Sequence, residues 1–179
     1  MKKESSRLGI SINFDAHLDK IVQPLNVDLQ ERYNRLIKKE TIEMPLIFEE
    51  DKSFKITVPS FEEYLAEKLS IILESNKPDV LNTRIKDFYD IYELHGGKYD
   101  SEKLTKYFKK IIQLRGIIKM EDATTDYLNK EFINNHLELW ERAKIKYDFL
   151  DKDIDLYGAV YYTRAVLREE LQKNGIKTK

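Results

Sequence analysis

Residues 8–14 alternate apolar and polar side chains, with Ile10, Ile12 and Phe14 on one face and Ser11, Asn13 and Asp15 on the other. A period of two is that of a half-buried strand. Asp28 then stands where it can cap a short helical stretch carrying Leu29, Tyr33, Leu36 and Ile37. Residues 42–48 and 54–58 read as two further strands around the turn-like Glu49-Glu50-Asp51-Lys52-Ser53. After Pro59 the period changes to that of helices. Ser60 followed by Glu63 has the spacing of a capping box, in which each side chain reaches a free amide of the first turn, and it opens a helix over 60–75. A second helix covers about 82–94 and ends at Gly96-Gly97, and a third runs from Ser101 to Arg115 before Gly116. Two longer helices lie near 126–150 and 154–173, with Gly175 as the last stop signal. Glycine past a last turn relieves left-handed strain. The pattern predicts an α+β fold: a small N-terminal β-sheet followed by a mostly α-helical bundle.

Composition narrows what such a fold can do. A chain of 179 residues suits one compact unit and buries roughly 70% of its unfolded surface, enough for a real core. Lys plus Arg (31) nearly cancel Asp plus Glu (32), so no global field draws the chain to nucleic acid or an acidic membrane. Any such binding is local. Without cysteine there is no disulfide framework, thiolate metal site or cysteine nucleophile. The charged start, Met1 to Arg7, does not resemble a signal peptide, and no apolar stretch approaches the roughly 20 residues that span a bilayer. These features predict a cytoplasmic protein with no membrane partner. No internal repeat or low-complexity tract is visible.

Two positions conflict with the faces they occupy. On the 60–75 helix an apolar stripe runs through Phe61, Tyr64, Leu65, Leu69 and Ile72, and Lys68 falls inside it. Its ammonium must either snorkel to water or meet an anion, such as a nucleotide triphosphate at the mouth of a cleft. On the next helix Ile85, Phe88, Tyr89 and Tyr92 form the main face, while Asp87 aligns with Ile91 and Leu94. A buried carboxylate is costly unless paired or coordinated, so Asp87 calls for a cation: Lys68, Arg84 or a metal. Lys86 and Asp90, at i and i+4, have the spacing of a surface ion pair.

Other signals carry less chemistry. Asp151, Asp153 and Asp155 begin like a calcium loop, but Leu156 stands at the glycine position and Tyr162 at the final glutamate, so they read as helix caps. His17, His95 and His136 have no metal-ligand spacing and read as surface histidines. Lys103, Lys106 and Lys110, with Lys109 nearby, make a basic stripe that can follow an RNA backbone or simply be solvated, while Tyr107 and Phe108 face the core. Trp140 has helical spacing with Phe132, Ile133 and Leu137 and reads as core.

The run ITVPSFEEYLAEKLSIILES followed by NTRIKDFYDIYEL resembles the helix pair of AbiEii/AbiGii-type nucleotidyltransferase toxins, of the DNA polymerase β-like nucleotidyltransferase superfamily. The resemblance covers about Leu8 to Leu94, and the later segment with Trp140 is similar only loosely. It implies a partial nucleotidyltransferase region at 1–95 and a C-terminal helical region at 96–179. It implies, too, transfer of a nucleotide from an NTP, with Mg²⁺, onto an RNA acceptor such as tRNA. Among the residues, Lys68 matches the family's nucleotide-contacting lysine and Asp87 the acid that completes its active site; Lys86 and Arg84 follow as further nucleotide contacts and Asp90 in support. The family's glycine-serine motif and Asp-x-Asp metal pair have no counterpart before Leu8. The third family carboxylate falls on Ser11, and Asp15, its substitute on the same face, lies roughly 13 Å further along an extended strand. The expectation is therefore no metal site in the chain itself and a truncated form inactive alone, its partners an antitoxin, a missing N-terminal half or a second copy. The alternative is a non-catalytic module or remnant that binds such a partner.

Overall fold

The computed structural model describes residues 9–30, 39–46, 49–74, 84–115, 123–147 and 150–176. Two compact units divide the chain, Met1–Arg35 and Leu36–Lys179. The first contains the hairpin of β1 (Gly9–Leu18) and β2 (Ile21–Gln30), antiparallel from Gly9↔Gln30 to Leu18↔Ile21. Its two-residue loop places Asp19 at φ 51°, a left-handed conformation that a short polar side chain tolerates. Ile12 faces Val27 and Phe14 faces Leu25 on one side of the ribbon, and Ser11 donates to Asn26 Oδ1 at 2.8 Å on the other.

The second unit holds the hairpin of β3 (Lys39–Leu46) and β4 (Glu49–Pro59), with a register shift between Pro45 and Leu46. Five helices follow among the described residues: α1 (Phe61–Glu74), α2 (Lys86–His95), α3 (Ser101–Arg115), α4 (Lys130–Lys146) and α5 (Leu156–Lys173). The fold is α+β, its strands forming two separate antiparallel hairpins ahead of the helices. α1 packs chiefly on α3, and α2 chiefly on α5. Leu65, Leu69, Phe88, Ile91, Phe108 and Trp140 are fully buried between them.

Local chemistry sets the helix ends. Ser60 Oγ accepts from the Glu63 amide at 3.3 Å, and Asp100 Oδ1 accepts from the amides of Glu102 and Lys103. Asn129 Oδ1 accepts from Phe132, and Asp155 Oδ1 from Gly158. Asp151 Oδ1 likewise takes the Asp153 amide, so the acidic run at 151–155 serves turns and caps. At the end of α5, Gly175 turns left-handed (φ 77°) while its amide bonds Gln172 O and the Ile176 amide bonds Leu171 O, the paired closure that glycine permits.

Several sequence expectations are corrected. Asp28 and Leu29 belong to β2, not to a helix; the rest of that expected helix lies outside the described residues. The alternation of Leu25, Val27 and Leu29 with polar neighbours continues a strand, and Pro24 is tolerated because both strands of a lone hairpin are edges. Glu49–Ser53 lie within β4; Asp51, Lys52 and Ser53 are exposed there, so a polar run need not break the strand. α2 starts at Lys86 and α4 spans only Lys130–Lys146, because Asn129 caps it. Gly96 ends α2 in the right-handed region (φ −64°), so no left-handed turn is needed there. His136 is buried, its Nδ1 2.7 Å from Phe132 O and its ring stacked on Phe132.

Candidate functional site

Of the apolar stripe of α1, Leu65, Leu69 and Ile72 are fully buried while Tyr64 is exposed, and this rotation of the helix brings Lys68 out at the border of the core. α2 presents Asp87 and Asp90, one turn apart, to the same place. Lys68 Nζ donates to Asp87 Oδ1 and to Asp90 Oδ2, each at 2.6 Å. The carboxylates differ in setting: the Asp87 side chain is 5% exposed and that of Asp90 30%. Arg84 Nε forms an ion pair with Asp87 Oδ2 at 2.6 Å, without the alignment of a hydrogen bond. Two cations and two carboxylates thus meet with a formal sum of zero.

The acid nearest the core is the one most in need of charge compensation, and it receives two cations. Burial, the largest single influence on Lys68, disfavours its charge, yet the hydrogen bonds to Asp87 and Asp90 together outweigh it and hold the ammonium above the ordinary lysine value. Lys68 is firmly protonated. An ammonium has three N–H donors, of which the carboxylates take two; the Tyr64 ring lies 5.3 Å from the nitrogen. Among the described residues one donor remains for an incoming oxyanion.

Of the other anticipated residues, Asp90 and Arg84 join the cluster, while Lys86 and Asp15 do not. Asp90 turns to Lys68 instead of forming the surface pair with Lys86, and the Lys86 ammonium sits over the Tyr147 ring at 4.1 Å. Asp15 is on β1, in the first unit. Tyr64, which shares the stripe with Lys68 one turn earlier, is a neighbour of the ammonium, its ring centroid 5.3 Å away. In the basic stripe Lys103 pairs with Asp100 at 3.0 Å, Lys106, Lys109 and Lys110 are exposed, and Tyr107 and Phe108 are buried.

The donor set does not fit the two-metal centre that in-line nucleotidyl transfer requires. Two or three carboxylates must converge on a pair of ions about 4 Å apart, whereas Asp87 and Asp90 converge on an ammonium. Among the described residues no group of three or more His, Cys, Asp or Glu could hold a metal ion. Among the same residues no helix is long and apolar enough to cross a membrane.

The model of the family described as "Nucleotidyl transferase AbiEii toxin, Type IV TA system" matches residues 3–167. The chain belongs to this family. The match continues past Leu94 into α5, so the helices that resemble the family only loosely by eye are part of it. Its members are nucleotidyltransferase-type toxins of toxin–antitoxin systems, which sets this chain opposite an antitoxin. No curated protein and no solved structure matches the chain.

Proposed function

We propose that the α1–α2 cluster is the nucleotide-gripping part of a toxin that transfers a nucleotide from an NTP to an RNA acceptor such as tRNA. The observation that carries this reading is the Lys68 ammonium, held by Asp87 and Asp90 with one donor to spare. In the transfer, an acceptor hydroxyl oxygen forms a bond to the α-phosphorus as the bridging oxygen toward the β-phosphorus departs with pyrophosphate, and the hydroxyl proton is lost to a base. Lys68 contributes a fixed positive charge to the triphosphate. Asp87 orients that ammonium, and Arg84, at the cluster's exposed side, offers a second cation. Asp90 supports the clamp from the solvent side, and Lys86 is a weaker candidate contact.

Nucleotidyltransferases use an NTP and a metal, and the carboxylates that would hold the metal are not assembled by the described residues. We therefore read these 179 residues as inactive alone and dependent on a partner bearing the missing acids. The measurement is transfer of labelled nucleotide to bulk tRNA by the purified chain. No labelled RNA is expected, and efficient transfer would contradict the reading.

A specific observation favours a second reading, that of a module that binds a protein partner. Ile12, Phe14, Leu25 and Val27 form one exposed apolar face of the β1–β2 hairpin, and a lone two-stranded ribbon is marginal in water. An antitoxin, a carboxylate-bearing segment or a second copy would cover it. Sedimentation with and without the neighbouring antitoxin separates self-association from partner binding.

A further inference from the structure

An open groove of about 360 Å³ runs along α5, lined by Tyr161, Arg164, Ala165, Arg168, Glu169 and Gln172. Tyr161, Arg164, Ala165, Arg168 and Gln172 follow the i, i+3, i+4, i+7, i+11 spacing of one helical face, about 16 Å long at 1.5 Å per residue. Neither the sequence pattern nor the family match assigns this face a role.

Arg164 is the informative residue. Its side chain is three-quarters buried, and Asp126 pairs with the guanidinium only at 3.7 Å, beyond hydrogen-bond reach. Its Nε is buried with no acceptor among the described residues. A guanidinium presents five donors in a planar fork, and a buried donor left unmet is destabilising. An oxyanion in the groove would satisfy it. Arg168 adds a second guanidinium one turn on, and Glu169 at the edge of the lining turns to Lys173 at 2.6 Å, an ammonium it shares with the buried Glu170.

We propose that this groove binds the phosphodiester backbone of an RNA strand. Arg164 and Arg168 take phosphate oxygens, the half-exposed ring of Tyr161 stacks on a base, and Gln172 meets a base edge or ribose hydroxyl. A closed pocket would suit a free phosphate; an open, elongated one suits a chain. An aromatic face beside paired arginines favours a nucleic acid over an acidic peptide, which offers nothing to stack. The inference rests on the proposed transferase function only for the existence of an RNA acceptor, and it makes no use of the Lys68 cluster.

The test is fluorescence anisotropy of a labelled single-stranded RNA with the full chain at several salt concentrations. Arg164→Gln and Arg168→Gln should each weaken binding about tenfold and reduce the slope of log affinity against log salt by about 0.7 for each phosphate no longer neutralised. Tyr161→Ala should weaken binding about tenfold with the slope retained. Calorimetric NTP binding by Arg164→Gln should match the parent chain. Thus absent NTP binding in the parent with intact RNA binding contradicts the nucleotide site alone, and the reverse contradicts the groove alone. Parent-like RNA affinity and salt slope in both arginine variants would overturn the proposal, as would displacement of the RNA by polyglutamate at equal charge concentration.

Discussion

Replacing Lys68 by methionine keeps most of the side-chain stem but removes the ammonium that compensates two acids. Among the described residues, Asp87, 5% exposed, would then keep Arg84 alone as a cationic partner, whose own side chain is 49% exposed. Breaking a buried pair by deleting one partner costs about 3–5 kcal/mol. The lower end applies, because Arg84 remains and Asp90 is partly hydrated, a setting in which an ion pair contributes under about 1 kcal/mol. At about 2–4 °C per kcal/mol for domains of this size, a loss of about 3 kcal/mol lowers the melting temperature of the helical unit by about 6–12 °C. Urea unfolding followed by far-ultraviolet circular dichroism measures the same loss. The double variant Lys68→Met/Asp87→Leu should recover most of it, since apolar residues can replace a buried ion pair at little net change. The pH dependence follows from the raised Lys68 value: its folded state binds the proton more tightly than the unfolded chain, so the stabilisation is full below about 10.5 and is lost as pH rises beyond it. The parent-minus-variant difference should be flat through neutral pH and shrink in strong alkali. A loss under about 1 kcal/mol in Lys68→Met, or a double variant as unstable as the two single losses added, would refute the coupling.

Further consequences concern separate parts of the molecule. Asp90→Asn removes a negative charge beside Lys68 without emptying the site, so NTP affinity should rise several-fold by calorimetry; weaker binding would show that Asp90 serves the nucleotide directly. Burial holds the Tyr127 phenol above its ordinary value of 10.0, favouring the neutral form, so it stabilises the fold below that pH and this contribution fades at higher pH; ultraviolet titration should show one tyrosine ionising only on unfolding, and Tyr127→Phe should abolish that late step. Asn129→Ala deletes the cap on the Phe132 amide and should cost about 1 kcal/mol in urea unfolding. Ile12→Ser with Phe14→Ser should lower binding of an apolar fluorescent dye and leave the melting of the helical unit unchanged; altered melting would show that the hairpin supports that unit.

The features legible in the chain are those decided locally. Ser60 and Glu63, Asp155 and Gly175 each act within one turn, and the ends they set for α1 and α5 agree with the pattern. Lys68 and Asp87 stand out because a charge on an apolar face must be compensated, and the structure brings them together across two helices. The choice made by Asp90 is not legible: Lys86 offers a partner at helical spacing, and only the packing of α2 on α1 sends the carboxylate to Lys68. His136 reads as a surface residue because its acceptor is a backbone oxygen, which no residue type marks, although its i+4 spacing from Phe132 does place it against that ring. β2 is obscured by Pro24 and Asp28, whose usual preferences give way on an edge strand. The α5 groove is written in the spacing of Tyr161, Arg164 and Arg168, but the unmet Arg164 Nε becomes visible only once α5 is packed.

The most direct measurement is an isothermal titration of the full chain and of its Lys68→Ala variant with an NTP. The parent chain should bind and the variant should not, while circular dichroism shows both to be folded. Equal affinity in a folded Lys68→Ala variant would contradict the claim that the ammonium clamped by Asp87 and Asp90 is where the triphosphate is held.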